Sequence, residues 1–181
     1  MMLTDGTLTI RPFSEVDLAA AREAAIESSS NVGAWFAWVH SDVTLEEAAN
    51  FAAQRADAWA RGTERGFLIE RAADKRLLGG VWLDNIDFDR KSANLGFWVR
   101  TSALRSGVAT GASRLCLKYG FEELGLERAD VLVAIGNPSS QRVAENLGAV
   151  PEGIAHAKLV LRGVKVDSRI YTIKNPRSPA P

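Results

Sequence analysis

Apolar positions along this chain repeat with two different periods, and the switches between them mark out its elements. Leu8, Ile10 and Pro12 alternate with Thr7, Thr9 and Arg11, so residues 6–12 read as a first strand. Ser14, with Asp17 three residues on, resembles a helix start ahead of Leu18, and the helix runs to about Glu27, before the Ser28-Ser-Ser-Asn31 breaker. Thr44 and Glu47 form a capping box, after which Ala48, Phe51, Ala52 and Trp59 keep helical spacing to about Arg61. Residues 66–70 and 77–83 read as paired strands about a polar turn at Asp74-Lys75, and residues 93–100 as another strand. A second long helix spans residues 107–123, and residues 128–135 have the apolar character of a buried strand. Pro138 to Leu147 makes a short helix that stops at Gly148, and residues 153–161 and 165–173 pair about Arg162-Gly163. The order β-α-α-β-β-β-α-β-α-β-β predicts an α/β (α+β) domain, a mixed sheet with helices on both faces.

Composition narrows the class without naming a function. At 181 residues the chain suits one domain, residues 1–173, large enough to bury a core without disulfides or metal. Lys plus Arg and Asp plus Glu balance at 22 each, which argues against a nucleic-acid partner. Cys116 has no second cysteine to pair with, and His40 and His156 sit in no ligand spacing, so no metal site is expected. The absence of a signal-peptide pattern or an 18-residue apolar run predicts a cytoplasmic protein without a membrane partner. Residues 174–181, with three prolines, read as a flexible tail.

The informative stretch is Asn94-Leu-Gly-Phe-Trp-Val-Arg-Thr-Ser-Ala-Leu-Arg-Ser-Gly-Val-Ala-Thr-Gly-Ala112, in which a strand passes through a short loop into a helix. Gly107 and the small Ala109 would let an anionic group approach the helix N-terminus, where unpaired N–H groups and the dipole favour phosphate. A plain strand-to-helix turn uses the same glycine. Neither the nucleotide P-loop nor the three-glycine dinucleotide fingerprint fits, because no Lys-Ser/Thr follows and the glycine spacing is wrong.

Leu104-Arg-Ser-Gly-Val-Ala109 resembles the [Q/R]-x-x-G-x-[G/A] motif of the GNAT superfamily of acetyl-CoA-dependent N-acetyltransferases. The likeness to its RimJ/RimL branch extends over roughly residues 6–173. It takes in Leu8-Thr-Ile-Arg-Pro-Phe13, Ala34-Trp-Phe-Ala-Trp38, Leu78-Gly-Gly-Val-Trp-Leu83, Asn137-Pro-Ser-Ser140, Glu145-Asn-Leu-Gly148 and Val166-Asp-Ser-Arg-Ile-Tyr171. The resemblance implies a mostly antiparallel sheet of about seven strands in which two parallel strands, residues 93–100 and 128–135, splay to admit pantetheine. It implies a pyrophosphate seated on Arg105, Ser106, Gly107, Val108, Ala109 and Thr110, with Leu104 at the first motif position. The thioester would lie near Trp98 and Val99, where a backbone N–H could hold an oxyanion; core packing is the competing role of Trp98. A homodimer is a further implication.

Departures from the family pattern bear on the chemistry. Leu104 stands where Gln or Arg is usual, and Ala144 where many members carry a tyrosine acid. The RimL likeness implies that Ser140 donates to the leaving thiolate, with Asn137 contacting the cofactor arm or capping the helix before Pro138. Asn94 replaces a glutamate of RimJ-like sequences and cannot act as a base. From chain order Asp84, then Asp87, then Glu70 are the acidic candidates, and positioning alone could supply much of the rate. Trp35 and Trp38, about Phe36, would wall the acceptor site or plug a loop. The acceptor that the resemblance implies is the α-amino group of a protein N-terminus, as in the acetylation of ribosomal proteins; the alternatives are a small amine or antibiotic, or a non-catalytic acyl-CoA-binding module.

Overall fold

The computed structural model describes residues 1–177. Its strands are β1 (Leu3–Thr4), β2 (Leu8–Arg11), β3 (Glu64–Arg71), β4 (Leu77–Asp87), β5 (Ser92–Val99), β6 (Arg128–Ala134), β7 (Val150–Leu161) and β8 (Val164–Lys174). The helices are α1 (Leu18–Glu27), α2 (Leu45–Ala60), α3 (Val108–Glu122) and α4 (Pro138–Asn146). All the strands join one sheet in the order β1-β2-β3-β4-β5-β6-β8-β7, antiparallel throughout except at β5–β6. Every predicted element is present, and β1 makes eight strands instead of about seven. Two residues are too few for an alternation to show, and β1 is held by its turn, where Asp5 Oδ1 accepts from Thr7 N and Leu8 N at 2.9 and 2.8 Å.

Local signals act where the sequence puts them. Thr44 Oγ1 accepts from Glu47 N at 3.1 Å while Glu47 Oε2 accepts from Thr44 N at 2.7 Å, closing the capping box of α2. Ser14 and Asp17 cap a one-turn 3-10 helix, Glu15–Asp17, that leads into α1. The part of the expected tail that is described is tied down: Asn175 donates from its backbone to Glu127 O and from its side chain to Leu126 O. The remainder of that tail, residues 178–181, lies outside the described residues.

The sheet buries each face under a different pair of helices. One core joins Ile10, Ile69, Val81, Leu83 and Leu95 to Ala112, Cys116 and Tyr119 of α3, with Ala144 of α4 at its edge. Burial pushes the Cys116 thiol well above its usual pKa, so it is an inert packing group. The other core packs Ala24 and Ala25 of α1 and the loop residues Val32, Val39 and Val43 over Leu68 and Trp98.

On this second face two indoles lie flat where glycines leave room. A Cβ at Gly96 would sit 2.2 Å from the Trp82 ring, and one at Gly80 would sit 2.8 Å from Trp98 Nε1. Gly96→Ala is therefore expected to lower stability by about 1–3 kcal/mol through overpacking, read from urea unfolding.

Candidate active site

The pairing between β5 and β6 is short. It holds at Ser92↔Arg128, Ala93↔Ala129 and Asn94↔Asp130, then stops, although β5 runs on to Val99 and β6 to Ala134. Backbone groups that face each other beyond Asn94 and Asp130 lack ladder partners, so the gap can take an amide-bearing chain. This is the splayed parallel pair that the family resemblance implies.

At the open end of this fork the chain turns from β5 into α3. Thr101–Ala103 form a 3-10 turn, Arg105 has φ 59° and Gly107 has φ 80°, and no side chain caps α3. Its first N–H groups and the positive end of its dipole are left available to an anion. Leu104, Arg105, Ser106 and Gly107 are exposed, and Ala109 is half-buried, whereas Val108 and Thr110 face inward. Ser106 Oγ donates to Ala103 O at 2.6 Å and stiffens the turn.

The C-terminus of α1 holds this loop in place. Arg100, only 2% exposed, pairs with Glu23 and Glu27 and donates to Leu77 O at 3.0 Å. Glu27 Oε1 accepts from Ser102 N at 2.8 Å, and Ser28 Oγ from Thr101 N at 3.1 Å. A buried guanidinium needs such partners, because an unpaired charge there is strongly unfavourable. The hydrogen bond from Arg100 holds the Glu27 carboxyl down at about 2 against some opposing desolvation.

Across the fork, α4 begins at Pro138 with Asn137 as its N-cap. Asn137 Oδ1 accepts from Ser140 N at 3.1 Å, which places Ser140 in the first helical turn, half-buried. The capping role anticipated for Asn137 is therefore occupied, and the Ser140 hydroxyl takes no part in the cap. Ala144 is fully buried.

The sheet register assembles a polar row that runs to the fork. Glu64 pairs with Asp84, Asp84 with Asn94, Asn94 with Asp130, and Asp130 with Thr172, so these side chains share one face. Asp130 is bound by Arg128 and by Thr172 Oγ1 at 2.7 Å. Asp84 accepts from Trp82 Nε1 at 2.9 Å and from Asn85 Nδ2 at 2.7 Å. Asp84 thus stands one strand from Asn94, with both oxygens engaged. Asp87 lies at the irregular end of β4 and accepts from Arg90 N; Glu70 is held by Arg11 at the other end of β3.

Glu64, which the sequence reading missed, differs from all of these. Its side chain is 7% accessible, one oxygen pairs with Arg55, and Oε1 has no hydrogen-bond partner. Burial pushes its carboxyl upward and the neighbouring Asp84 adds to this, while Arg55 opposes both. Residues 64 and 65 lay outside the strand predicted from residue 66. Starting that strand at Glu64 puts Glu64, Gly66 and Leu68 on one face, which is the signal that would have found it.

Between α1, α2 and this face is a cavity of about 480 Å³. Trp38, Phe51, Trp82 and Trp98 line it with Arg55 and Glu64, and Trp35 is not among its lining residues. Trp38 stacks on Phe51 at 4.6 Å between centroids and meets Trp98 edge-on at 5.3 Å. Trp98 is thus both packed and cavity-lining, whereas Val99 belongs to the opposite core under α3. Among the described residues no His, Cys, Asp and Glu side chains gather in a metal-binding group, and no helix is long and apolar enough to cross a membrane.

A fork between parallel strands, with an uncapped helix N-terminus at its mouth and a cavity beside it, is the architecture of an acyl-transfer site. The model of the acetyltransferase (GNAT) domain matches residues 7–150, and the chain belongs to that family of acyltransferase enzymes. It is 30% identical to "Putative ribosomal N-acetyltransferase YdaF" of Bacillus subtilis over 92% of this chain and 90% of that protein. It is also 30% identical to "Probable N-acetyltransferase YjcK" of the same organism, over 97% and 98%. RimL, a ribosomal L7/L12 α-N-protein acetyltransferase solved with coenzyme A, shares the fold at a TM-score of 0.87, with 18% identity over 96% of this chain and 98% of that one. These relatives support the RimJ/RimL-like branch.

The ion cluster behind the loop between β5 and α3 carries a pH dependence. Glu27 has a lowered folded pKa, so its contribution to stability is complete above the ordinary 4.5 and is lost as pH falls towards 2. Urea unfolding across that window should show a steeper acid loss for the native chain than for Glu27→Gln.

Proposed function

We propose that the protein transfers an acetyl group from acetyl-CoA to an amine by direct attack, and that its acceptor is the α-amino group of a protein N-terminus. The observation that carries this reading is the end of β5–β6 pairing at Asn94 and Asp130, together with the uncapped N-terminus of α3 at the mouth of the gap. The pyrophosphate rests on the amides from Arg105 to Thr110, beside Leu104. The pantetheine arm lies along the unpaired edges of β5 and β6. The relatives named as ribosomal N-acetyltransferases support the protein acceptor; the cytoplasmic location read from the sequence and the homodimer implied by the family resemblance go with it.

Acetyl-CoA supplies an activated acyl carbon. The neutral amine forms a bond to that carbon, and a backbone N–H near Trp98 or Val99 stabilises the oxyanion. The carbon–sulfur bond then breaks. Ser140, free of the cap, donates a hydrogen bond to the departing sulfur or relays a proton to it from water, and Asn137 holds the turn that presents it. The proton lost by the amine passes through water to the carboxylate row, where Asp84 stands beside Asn94 on β4. No acyl-enzyme forms, since no nucleophile is paired with a base at the fork.

Free-thiol release from acetyl-CoA, measured against N-terminal peptides, polyamines and aminoglycosides, tests this. Turnover with one acceptor class is expected, and Ser140→Ala should lower kcat by about 10²-fold. Binding of acetyl-CoA without turnover on any acceptor would favour a binding module, for which Asn94 and Ala144 are the features to cite. Failure to bind it would overturn the proposal.

A further inference from the structure

The cavity beside the fork has two ends of different chemistry. At the fork end is Trp98, on β5 beyond the last residue paired with β6. At the far end are Glu64 and Arg55, on the second strand away and on α2. Two interstrand steps, about 10 Å, separate β3, which carries Glu64, from β5, which carries Trp98. The floor between them is aromatic: Trp82 lies over Gly96, Trp98 lies over Gly80, and the stacked pair Trp38–Phe51 forms a wall.

The far end is incomplete in a specific way. Glu64 Oε1 is a buried acceptor without a donor, and Arg55 Nε is a buried donor without an acceptor. The ion pair between the two residues uses their other atoms, and Arg55 is further fixed by lying 5.3 Å from the centre of the Phe51 ring. Oε1 is turned over Gly66, where it stands 3.1 Å from the place a Cβ would take, and both residues line the cavity. Leaving two buried polar atoms unpaired is costly, and one group that both donates and accepts would satisfy them together once a small shift of the two side chains turns these atoms to the cavity. A hydroxyl does this at a single atom. An ammonium can only donate, and it would meet the positive charge of Arg55.

We infer that the acceptor is an amine carried on a flat apolar body that ends in a hydroxyl: the amine lies at the fork, the body lies on Trp82 and Trp98, and the hydroxyl donates to Glu64 and accepts from Arg55. This rests on the transferase reading and specifies its acceptor. Asp84, besides its place in the proton path, accepts from Trp82 Nε1 and so fixes that indole. An aryl ring between a short aminoalkyl arm and a phenolic hydroxyl has this form. It can come from a free arylalkylamine such as tyramine or from a chain beginning with tyrosine.

The test uses tryptophan fluorescence of the full chain saturated with coenzyme A, titrated with tyramine, phenethylamine, 4-methoxyphenethylamine and spermidine. Tyramine should bind about tenfold more tightly than phenethylamine, the difference made by one hydrogen bond to a charged group. The methoxy compound, which cannot donate, should lose that advantage. Glu64→Gln should shrink the tyramine preference; if that variant does not fold, the comparison of hydroxyl with methoxy still decides. Equal binding of the three aryl amines, or tighter binding of spermidine, overturns the inference.

Thiol release with Tyr-Ala and Phe-Ala peptides beside the free amines separates the two sources. Selective tyramine binding with no thiol release from any amine would overturn the transferase reading and uphold the cavity assignment. Release without selectivity would do the reverse.

Discussion

The site depends on one constraint, the place where β5 and β6 cease to pair. Parallel strands bonded along their whole length would leave no opening in the sheet. Because the ladder stops at Asn94 and Asp130, the edges beyond it carry donors and acceptors in need of partners. The same divergence brings the start of α3 to the mouth of the gap from one strand and α4, with Asn137 and Ser140, from the other. Binding and chemistry therefore share one geometric cause.

The loop between β5 and α3, with the uncapped helix N-terminus behind it, is not left to find its own shape. Here α1, distant in sequence, supplies the template. Arg100 is buried at the end of β5 because Glu23 and Glu27 neutralise it, and Glu27 uses its other oxygen on the loop backbone. The ion cluster holds the amides in advance, so less order has to be imposed when the ligand arrives.

On the acceptor side, glycines matter for the space they leave. The register places Gly66, Trp82 and Gly96 side by side, so one indole spreads over backbone that has no side chains of its own. The result is a flat apolar floor between a polar fork and a buried ion pair with two unpaired atoms. A surface of this kind suits a ligand recognised by its shape and hydrogen bonding as a whole.

Much of this was legible along the chain because the signals were local. The capping box at Thr44, the Asn137–Pro138 helix start and the strand-to-helix loop at Gly107 are each encoded within a few residues, and each formed as read. The alternation placed every strand but β1, and the motif around Leu104 carried the family. The side chains that share the acceptor face were a different matter. Glu64, Asp84 and Asn94 come from three strands, and nothing in their separate sequence surroundings says that they stand in one row. That is decided by register, which depends on turns, bulges and the packing of two cores at once, and a shift of one residue would turn each side chain to the opposite face. The sequence alone determined the elements, their caps and the anion-facing loop, because these rest on contacts between near neighbours. Only the tertiary structure decided which carboxylate keeps a buried, unpaired oxygen, because that depends on what the rest of the fold brings beside it.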